Sequence, residues 1–320
     1  MNWGKVKWVM IAILAAACLL LGWNIYSVSS RRNYIDDQTL ANLTTILETD
    51  GIYLAEDAIP RERFTADVLA GELSDDYYQF VYKTLCGDPI YRTYTTPNGL
   101  MIFNEIGDRY HVRKYFGFSY HAAGYLSVQL PSYTDLAEEH PDKGVDKNME
   151  KQCFAAIESF LKLQSFMPEE TADRFRLVLT GYSSVAEGQG VYASATLEID
   201  GVPLCTNEAV FLISEGEVLV MEGNWTFLFS TRSERALIYD QVNILISEKK
   251  NIDEDRRLGV MSGAVSIRRA EPCYCPYVDE ESGTVYFVPG WRIIHEDGRI
   301  RIYNGVSNLI YPLESLIDPS

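Results

Sequence analysis

One long apolar stretch dominates the hydrophobic pattern near the amino end of the chain. Residues 8–30 contain no charged side chain, and the part from Trp8 to Tyr26 is long enough for a helix to cross the ~30 Å hydrocarbon core of a bilayer. Trp8, Trp23 and Tyr26 lie near its ends, where aromatic rings favour the headgroup layer. This pattern predicts a retained transmembrane helix that anchors the chain.

Two other interpretations of this stretch stay open. A cleaved signal peptide has about 7 to 15 apolar residues before a small-x-small site, whereas Ala15–Ala17 lies in the middle of this run. Ala-Ala-Ala-Cys18 is similar to a lipobox, but leucines follow Cys18 where a mature lipoprotein usually has polar residues. Two lysines precede the stretch and two arginines follow it, so the positive-inside count is nearly a tie. Because a short amino-terminal tail usually stays inside, we expect the bulk of the chain to be extracytoplasmic.

The segment after the stretch shows helical periodicity followed by a short strand. Leu40, Leu43 and Leu47 form an apolar stripe at helical spacing. Asp36 or Asp37 can cap its amino end, and the glycine before "IYLAEDAIP" stops it. The sequence therefore predicts a helix and then a strand at the start of the segment.

From Pro89 to Leu130 the pattern changes to alternating apolar and polar residues that are rich in Tyr, Phe, Ile and Val. Turn signals at Pro97-Asn98-Gly99 and Gly107-Asp108 divide this segment. It predicts a meander of antiparallel strands, preceded by a helix around 75–85. The polar residues 131–145, with two prolines and a glycine, are predicted to form a domain boundary.

The second half begins again with a helical pattern, "DKNMEKQCFAAIESFLKLQSFMPEE", and continues with four strand candidates. Asp200-Gly201 and Glu215-Gly216 are predicted hairpin turns between these strands. A helix over "SERALIYDQVNILISEKKN" and a last group of strands, with a turn at Asp297-Gly298, complete the pattern.

Runs of strands follow each helix instead of alternating with helices one for one, which is typical of α+β proteins with antiparallel sheets. We therefore predict an α+β fold with one N-terminal transmembrane helix followed by repeated helix-on-antiparallel-sheet modules. The predicted domains are a cytoplasmic tail and anchor (1–32), a first extracytoplasmic α+β domain (33–140) and a second one (141–320).

The net charge of the chain limits the classes of partner that we expect it to bind. The formal net charge is −17 at pH 7. Phosphate binding needs a basic surface, so nucleic acid is not an expected partner. An acidic surface on a protein outside the cytoplasm is typical of solubility rather than of a specific activity.

The cysteines and histidines do not form a metal-binding pattern. Cys86, Cys153 and Cys205 stand alone in apolar surroundings and are interpreted as small core residues. Cys273 and Cys275 would point to the same face of a strand, so a disulfide between them stays an alternative. The four histidines are scattered, and no second Cys/His pair stands at ligand spacing, so we predict neither a metal nor a cofactor.

The sequence offers little support for catalysis. It contains no phosphate-binding loop, nucleophile elbow, zinc-protease motif or dinucleotide fingerprint. Glu215, Glu217 and Glu222, and the cluster 279–281, could supply the paired carboxylates of an envelope hydrolase. Glu215-Gly216-Glu217 and the cluster have the composition of exposed turns, however, so we predict that the protein is not an enzyme.

Tyrosines crowd one region of the first half, at positions 77, 78, 82, 91 and 94. Tyrosines on sheets usually pack half-buried, but interfaces also favour them. A binding face that takes a cell-wall or small-molecule ligand therefore stays an alternative function.

Three phrases of the sequence resemble the YycI (WalI) family and its relative YycH. They are the opening "MNWGKVKWVMIAILAAACLLLGWNIY", the segment "YIDDQTLANLTTILETDGIYLAEDAIP" and the closing "TVYFVPGWRIIHEDGRIRIYNGVSNLI". The resemblance runs from end to end, but its motifs are short. Gly290 and Gly305 depart from it, since alanine is expected at both positions, and the segment 273–277 is not expected in the family.

The resemblance implies a membrane-anchored extracytoplasmic protein that regulates a sensor histidine kinase of the WalK (YycG) type in the cell-wall two-component system of Gram-positive bacteria. A YycH-like paralogue is a further implied partner. Ala12 and Ala16 form a small-xxx-small face that would allow close helix contact in the membrane, and Asn24 could hydrogen-bond a neighbouring helix. These three residues are the predicted partner-binding residues.

Overall fold

The computed structural model describes residues 34–72, 77–86, 89–113, 117–138, 147–166, 172–185, 190–227, 232–279, 282 and 284–311. Within these ranges, no helix combines the length and the hydropathy needed to span a membrane. The predicted transmembrane helix, with Ala12, Ala16 and Asn24, lies outside the described residues. The predicted domain boundary at 140 and 141 lies outside them as well and stays a prediction.

The chain divides into two compact units. Unit 1 contains the described residues up to Thr65 together with Ile238–Glu271 and Ile293–Ile300. Unit 2 contains Ala66–Leu237, Pro272–Arg292 and the residues from Arg301 onward. Unit 1 is therefore assembled from chain segments that are far apart in the sequence.

The helices are α1 (Asp37–Thr49), α2 (Tyr77–Leu85), α3 (Tyr133–Glu138), α4 (Lys147–Leu161) and α5 (Gln241–Arg257). The first seven strands are β1 (Ile52–Leu54), β2 (Asp67–Glu72), β3 (Ile90–Thr96), β4 (Gly99–Asn104), β5 (Arg109–Arg113), β6 (Gly117–His121) and β7 (Phe175–Ser184). The others are β8 (Val191–Ile199), β9 (Val202–Ser214), β10 (Glu217–Asn224), β11 (Arg232–Arg235), β12 (Val265–Asp279), β13 (Thr284–His295) and β14 (Ile300–Asn304).

In unit 1, helix α1 follows the sequence signals closely. The Asp36 side chain accepts a hydrogen bond from the backbone N–H of Thr39 at 2.8 Å, which caps the amino end. Gly51, with φ +68°, follows the carboxyl end in the left-handed conformation that glycine adopts without strain. Leu43 and Leu47 are buried, so the predicted stripe is confirmed as the packed face.

Helix α5 packs beside α1 in unit 1 and supplies a cation to its carboxyl end. Arg256 Nη1 donates to the carbonyl of Asp50 at 2.6 Å, and Nη2 donates to the carbonyl of Gly51 at 3.3 Å. Carbonyls at the end of a helix have no partner within the helix, so the guanidinium satisfies acceptors that folding would otherwise leave to water. Strand β1 pairs in parallel with the beginning of β12, with Ile52 opposite Val265.

Unit 1 also buries an acid and a histidine against each other. His295 Nε2 lies 3.1 Å from Glu248 Oε1, and the side chains are 1% and 0% exposed. The contact has the distance of an ion pair, although the ring nitrogen is not aligned for a hydrogen bond. An acid in such a place must be compensated by its neighbours, because burying a charge without a partner is costly.

In unit 2, the strands form a mixed sheet in which β9 has different partners along its length. Its first half lies beside β12 in parallel, at Leu204 opposite Tyr274. Its second half pairs antiparallel with β10, and β8 pairs with it on the other side. From β10 the sheet continues through β6, β5 and β4 to β3, and from β12 it continues through β13 and β2 to β11.

Helices α2 and α4 cover one face of this sheet and enclose the main core of unit 2. Val81 and Tyr82 of α2 and Ile157 of α4 are buried against apolar strand residues such as Val112 and Phe118. The opposite face, which carries the other alternate side chains of β3 to β6, is more polar. This second face holds the candidate functional site.

The predicted fold class is wrong in its account of the sheet. We expected repeated modules, each a helix on its own antiparallel sheet, but parallel pairs occur at β1–β12 and β9–β12. Strand β6, from the predicted first module, pairs with β10, from the predicted second one. The alternating pattern identifies strands but contains no information about which strand lies beside which.

The predicted helix over residues 233–251 also needs correction. Residues Arg232–Arg235 form strand β11, and the helix begins only at Gln241. The Asp240 side chain accepts a hydrogen bond from the backbone N–H of Asn243 and sets this start. The helix then runs to Arg257, where the acid–base pair Glu254–Arg257 lies on its surface.

Candidate functional site

The polar face of unit 2 brings three arginines together. Arg109 and Arg113 lie on β5, opposite His121 and Gly117 of β6. Side chains directly opposite each other in antiparallel strands point to the same face of the sheet. Arg92 of β3 shares this face through its pairing with Phe103, which in turn faces Arg109. We call Arg92, Arg109 and Arg113 the basic face.

Strand β3 is the outermost strand on its side of the sheet and adds an aromatic group to the basic face. Arg92 Nη1 donates to Tyr94 Oη at 2.7 Å. The Tyr94 ring meets the Phe103 ring edge-on, with 5.9 Å between the centroids. Tyr94 is 45% exposed and its neighbour Tyr91 is 68% exposed. The edge of the sheet therefore offers guanidinium and aromatic groups to solvent side by side.

A histidine–glutamate pair adjoins the arginines. His121 Nε2 lies 3.0 Å from Glu222 Oε1 on the neighbouring strand β10. His121 Nδ1 lies 3.2 Å from the carbonyl oxygen of Tyr125. The Glu222 carboxylate and the Tyr125 carbonyl lie at the two ring nitrogens and fix the orientation of the imidazole between them. The imidazole is buried, whereas the carboxylate is half-exposed.

The loop after β6 holds the Tyr125 carbonyl in place. Asp108 Oδ1 accepts a hydrogen bond from the backbone N–H of Ala123 at 2.9 Å. Asp108 is itself fixed by Asn104, whose side-chain oxygen accepts from the Asp108 backbone N–H at 2.8 Å. The turn between β4 and β5 thus positions the carbonyl that orients the His121 ring.

The charges of this face act on its titratable groups. The hydrogen bond from His121, reinforced by the positive charges of that ring, Arg109 and Arg113, lowers the pKa of Glu222 against the opposing effect of burial. Partial burial, followed by repulsion from Arg113 and Arg109, lowers the pKa of His111. The His111 Nε2 atom lies 3.2 Å from the Thr96 hydroxyl. The face therefore favours negative charge at Glu222 and disfavours positive charge at His111.

The predicted carboxylate pair is not brought together as a pair of neighbouring acids. Glu215 and Gly216 form the hairpin turn between β9 and β10, as the sequence indicates, and Glu215 is exposed. Glu222 faces His121 instead. In the described part of the chain, no three His, Cys, Asp or Glu side chains are arranged to hold a metal ion.

The structure corrects the interpretation of one cysteine. Cys86 and Cys153 lie separately in the main core region of unit 2, but Cys205 is not isolated. It shares a buried cluster with Cys273 and Cys275, whose sulfur atoms are 3.8 Å apart. The prediction that Cys273 and Cys275 point to the same face of a strand is confirmed, and none of the five cysteines of the described residues is in a disulfide.

The sequence did not reveal the His121–Glu222 pair or the basic face. The two members of the pair are 101 positions apart, and each stands in an ordinary alternating strand pattern. The local signal for the basic face was available, since Arg109, His111 and Arg113 alternate along one strand. Strand alternation places these three side chains on one face before any pairing is known.

Comparisons with known proteins give no assignment. No family model matches this chain, and no curated protein matches it. A solved structure of an uncharacterized protein from Eubacterium rectale is similar to 82% of this chain and 91% of that chain, with 12% sequence identity and a TM-score of 0.45. This similarity is too low to support an argument about fold or function.

Proposed function

We propose that this protein is a noncatalytic regulator at the extracytoplasmic side of the cell membrane, and that it binds a sensor histidine kinase of the WalK type through the basic face. The kinase assignment is supported by the sequence phrases that resemble the YycI family. The contact surface is supported by the geometry of unit 2.

The observation that carries the proposal is the grouping of Arg92, Arg109 and Arg113 with exposed tyrosines in a chain of net charge −17. Negative charge predominates in such a protein, so a local group of cations creates a surface of distinct electrostatic potential. Arginine and tyrosine are also the residues that protein interfaces favour most. An acidic patch on a partner would be steered to this face.

A regulator of this kind needs no reaction of its own. It shifts the kinase between signalling states by binding one state more tightly than the other, and coupling free energies of about 1 to 3 kcal/mol are typical. The basic face supplies the contacts that such a difference requires.

Photocrosslinking in intact cells tests the proposal directly. A photoreactive phenylalanine analogue replaces Tyr94, and crosslinked partners are identified by mass spectrometry. The matched control carries the analogue at Tyr277, which is 53% exposed elsewhere in unit 2. We expect a histidine kinase to be captured from position 94 and not from position 277. Recovery of no kinase from position 94, with the protein expressed and folded, would contradict the proposal.

Charge reversal gives an independent test in vitro. Arg109→Glu/Arg113→Glu should weaken binding to the purified extracytoplasmic domain of the WalK-type kinase from the same genome by at least tenfold, and the salt dependence of the remaining binding should become shallower. Arg176→Glu/Arg235→Glu, at exposed positions on β7 and β11, changes the net charge equally; it is the matched control and should leave the affinity unchanged. Equal losses in both variants would show that net charge acts, and not this face.

A second candidate function has one observation in its favour. A cleft of about 680 Å³ in unit 2 is lined by polar and apolar residues that include Tyr125, Tyr192, Met149 and Gln152. Its volume lies in the range of small-molecule sites. It supports the alternative of a module that binds a cell-envelope ligand.

The cleft can be tested without knowledge of the kinase. Soluble muropeptides are titrated against the protein, and the amide signals of residues around Tyr192 are followed by NMR. Saturable shifts that disappear in Tyr192→Ala would favour the ligand-binding module. No shift at millimolar muropeptide would exclude this ligand class for the cleft.

A further inference from the structure

Three thiols meet in the interior of unit 2, on two strands that lie side by side. Cys205 belongs to β9, and Cys273 and Cys275 belong to β12. The side chains are 6%, 0% and 0% exposed and share a cluster with Ile302 and Tyr311. The sulfur atoms of Cys273 and Cys275 are 3.8 Å apart, and Cys205 interacts with both of them. This grouping is not used by the function proposed above.

The strand register selects one pair of thiols for a covalent bond. Leu204 and Tyr274 are partners in the parallel pairing of β9 and β12, so Cys205 lies next to Cys275 across the two strands. Neighbouring strands are about 4.8 Å apart, within the separation of roughly 4.4 to 6.8 Å that disulfides join. Cys273 and Cys275 are two residues apart on one strand, about 6.6 Å, which is close to the upper limit.

The reduced cluster is protected in two ways. Hydrogen bonding with Cys273, together with burial, raises the pKa of Cys205, and burial followed by hydrogen bonding with Cys205 raises the pKa of Cys275. Both groups are therefore thiols rather than nucleophilic thiolates at neutral pH. Tyr311 is packed in the same cluster, and its hydroxyl donates to the carbonyl of Pro276. Access of an oxidant to the thiols requires the Tyr311 side chain to move away.

We infer that Cys205 and Cys275 form a reversible disulfide when the protein meets a disulfide oxidant, and that Cys273 is a third thiol able to exchange with it. Once exposed, one of the two thiols loses its proton, and its thiolate attacks a sulfur atom of the oxidant, forming a mixed disulfide and releasing one thiol. The second thiolate attacks the protein sulfur of the mixed disulfide and releases the other thiol. Two protein thiols are oxidised, the oxidant disulfide is reduced to two thiols, and the two protons pass to those products.

The register also indicates what oxidation would do. The bond would lock β9 to β12 at the place where β9 changes its neighbour from β12 to β10. This junction connects the two branches of the unit 2 sheet. A covalent link there restricts the separation of the branches and closes a long loop of chain in the unfolded state, so the oxidised form should unfold at a higher temperature.

The test uses the full chain equilibrated without oxygen in buffers of oxidised and reduced glutathione. Free thiols are blocked with N-ethylmaleimide under denaturing conditions, and linked peptides are mapped by mass spectrometry. We expect the Cys205 peptide to become linked to the peptide with Cys273 and Cys275 as the buffer becomes oxidising, with loss of two blockable thiols. Cys153, a lone buried thiol, should stay blockable throughout and is the internal control.

Variants then identify the partner of Cys205. Cys273→Ser should keep the link, and Cys275→Ser should reduce the linked fraction at least tenfold in the same buffer, with alanine replacements used if serine disturbs the circular dichroism spectrum. Tyr311→Ala should raise the rate of linking at least tenfold. A Cys205 that stays fully blockable while half-buried Cys86 forms a mixed disulfide with glutathione would overturn the inference. Equal linking in the two serine variants would overturn the assignment to Cys275.

This outcome is independent of the proposed function. A failed crosslink to a kinase would leave the thiol measurement unchanged, since the redox titration uses the isolated protein. Conversely, an absent disulfide would say nothing about binding at the basic face.

Discussion

His295 Nε2 and Glu248 Oε1 lie 3.1 Å apart in unit 1, and water reaches neither side chain. Each side chain offsets part of the cost of burying the other's polar group. Removing one of them leaves the other buried without this contact. Removing one member of such a pair costs about 3 to 5 kcal/mol, whereas replacing both by apolar residues of similar size costs less.

We therefore expect Glu248→Ala to lower the free energy of unfolding by about 3 to 5 kcal/mol, and Glu248→Leu/His295→Leu to be more stable than Glu248→Leu alone. Urea unfolding followed by circular dichroism measures both. Glu254→Ala on the same helix is the control, and its exposed pair with Arg257 should contribute at most about 1 kcal/mol. Similar losses at positions 248 and 254 would contradict the special role of the buried pair.

Gly290 lies where the backbones of β13 and β14 approach each other closely. A Cβ atom at this position would lie 2.3 Å from the carbonyl oxygen of Tyr303 and 2.9 Å from the sulfur of Cys275. The backbones of β13 and β14 approach too closely here for a methyl group. We expect Gly290→Ala to destabilise the protein by about 1 to 3 kcal/mol, measured by thermal unfolding.

Gly124→Ala is the matched control for this substitution, since a Cβ atom at position 124 meets no other atom within 4 Å. It should change stability by no more than about 0.5 kcal/mol. If Gly290→Ala were equally neutral, the close approach of β13 and β14 would not exist in solution.

Glu222 makes the free energy of unfolding depend on pH in the acidic range. Its pKa is lowered in the folded protein, first by the hydrogen bond from His121. A carboxyl group with a depressed folded pKa stabilises the protein above its unfolded pKa, ordinarily 4.5, and this contribution is lost as the pH falls through the folded pKa. Glu222→Gln lacks the contribution at every pH.

The stability advantage of the wild type over Glu222→Gln should therefore be present at pH 7 and decline below the ordinary pKa of the glutamate. Because the carboxylate is half-exposed, we expect at most about 1 kcal/mol. Urea midpoints at pH 7, 5 and 3.5 measure it, with Glu217→Gln at the exposed start of β10 as the control. An advantage that stays constant over this range would refute the assignment to Glu222.

Arg256 of α5 joins that helix to the carboxyl end of α1 through hydrogen bonds to the carbonyls of Asp50 and Gly51. Arg256→Ala should cost about 1.5 to 3 kcal/mol, because hydrogen bonds from a charged donor are lost. Hydrogen exchange should also accelerate at the last turn of α1. Arg257→Ala removes an exposed arginine that binds only on the surface of the same helix, and should change neither measurement appreciably.

The local structure was largely predictable from the sequence. The cap at Asp36, the glycine after α1 and the hairpin turn at Asp200-Gly201 each depend on a few neighbouring residues. Asp200 and Gly201 have φ angles of +53° and +80°, as expected for the two central residues of a tight hairpin turn. The start of α5 could have been placed from Asp240, an acidic residue just before the helical pattern.

The pairing of the strands was not predictable in the same way. Val220 meets His121, and Leu204 meets Tyr274, across large separations in the sequence. Alternation fixes the face on which a side chain lies, but not its neighbour on the next strand. Part of the basic face could therefore be predicted from the alternation of Arg109 and Arg113 along one strand. The contact of His121 with Glu222 depended entirely on the order of strands in the sheet.

The parallel pairing of β1 with β12 has a consequence for the order in which the chain folds during synthesis. Ile52 cannot pair until Val265, more than two hundred residues later, has been synthesised. A ribosome that adds about 5 to 20 residues per second needs roughly 10 to 40 s for this stretch. During that interval β1 lacks its strand partner, and the carboxyl end of α1 lacks Arg256 until that residue is added. Nascent unit 1 therefore stays incomplete until Ile238–Glu271 and Ile293–Ile300 have been synthesised.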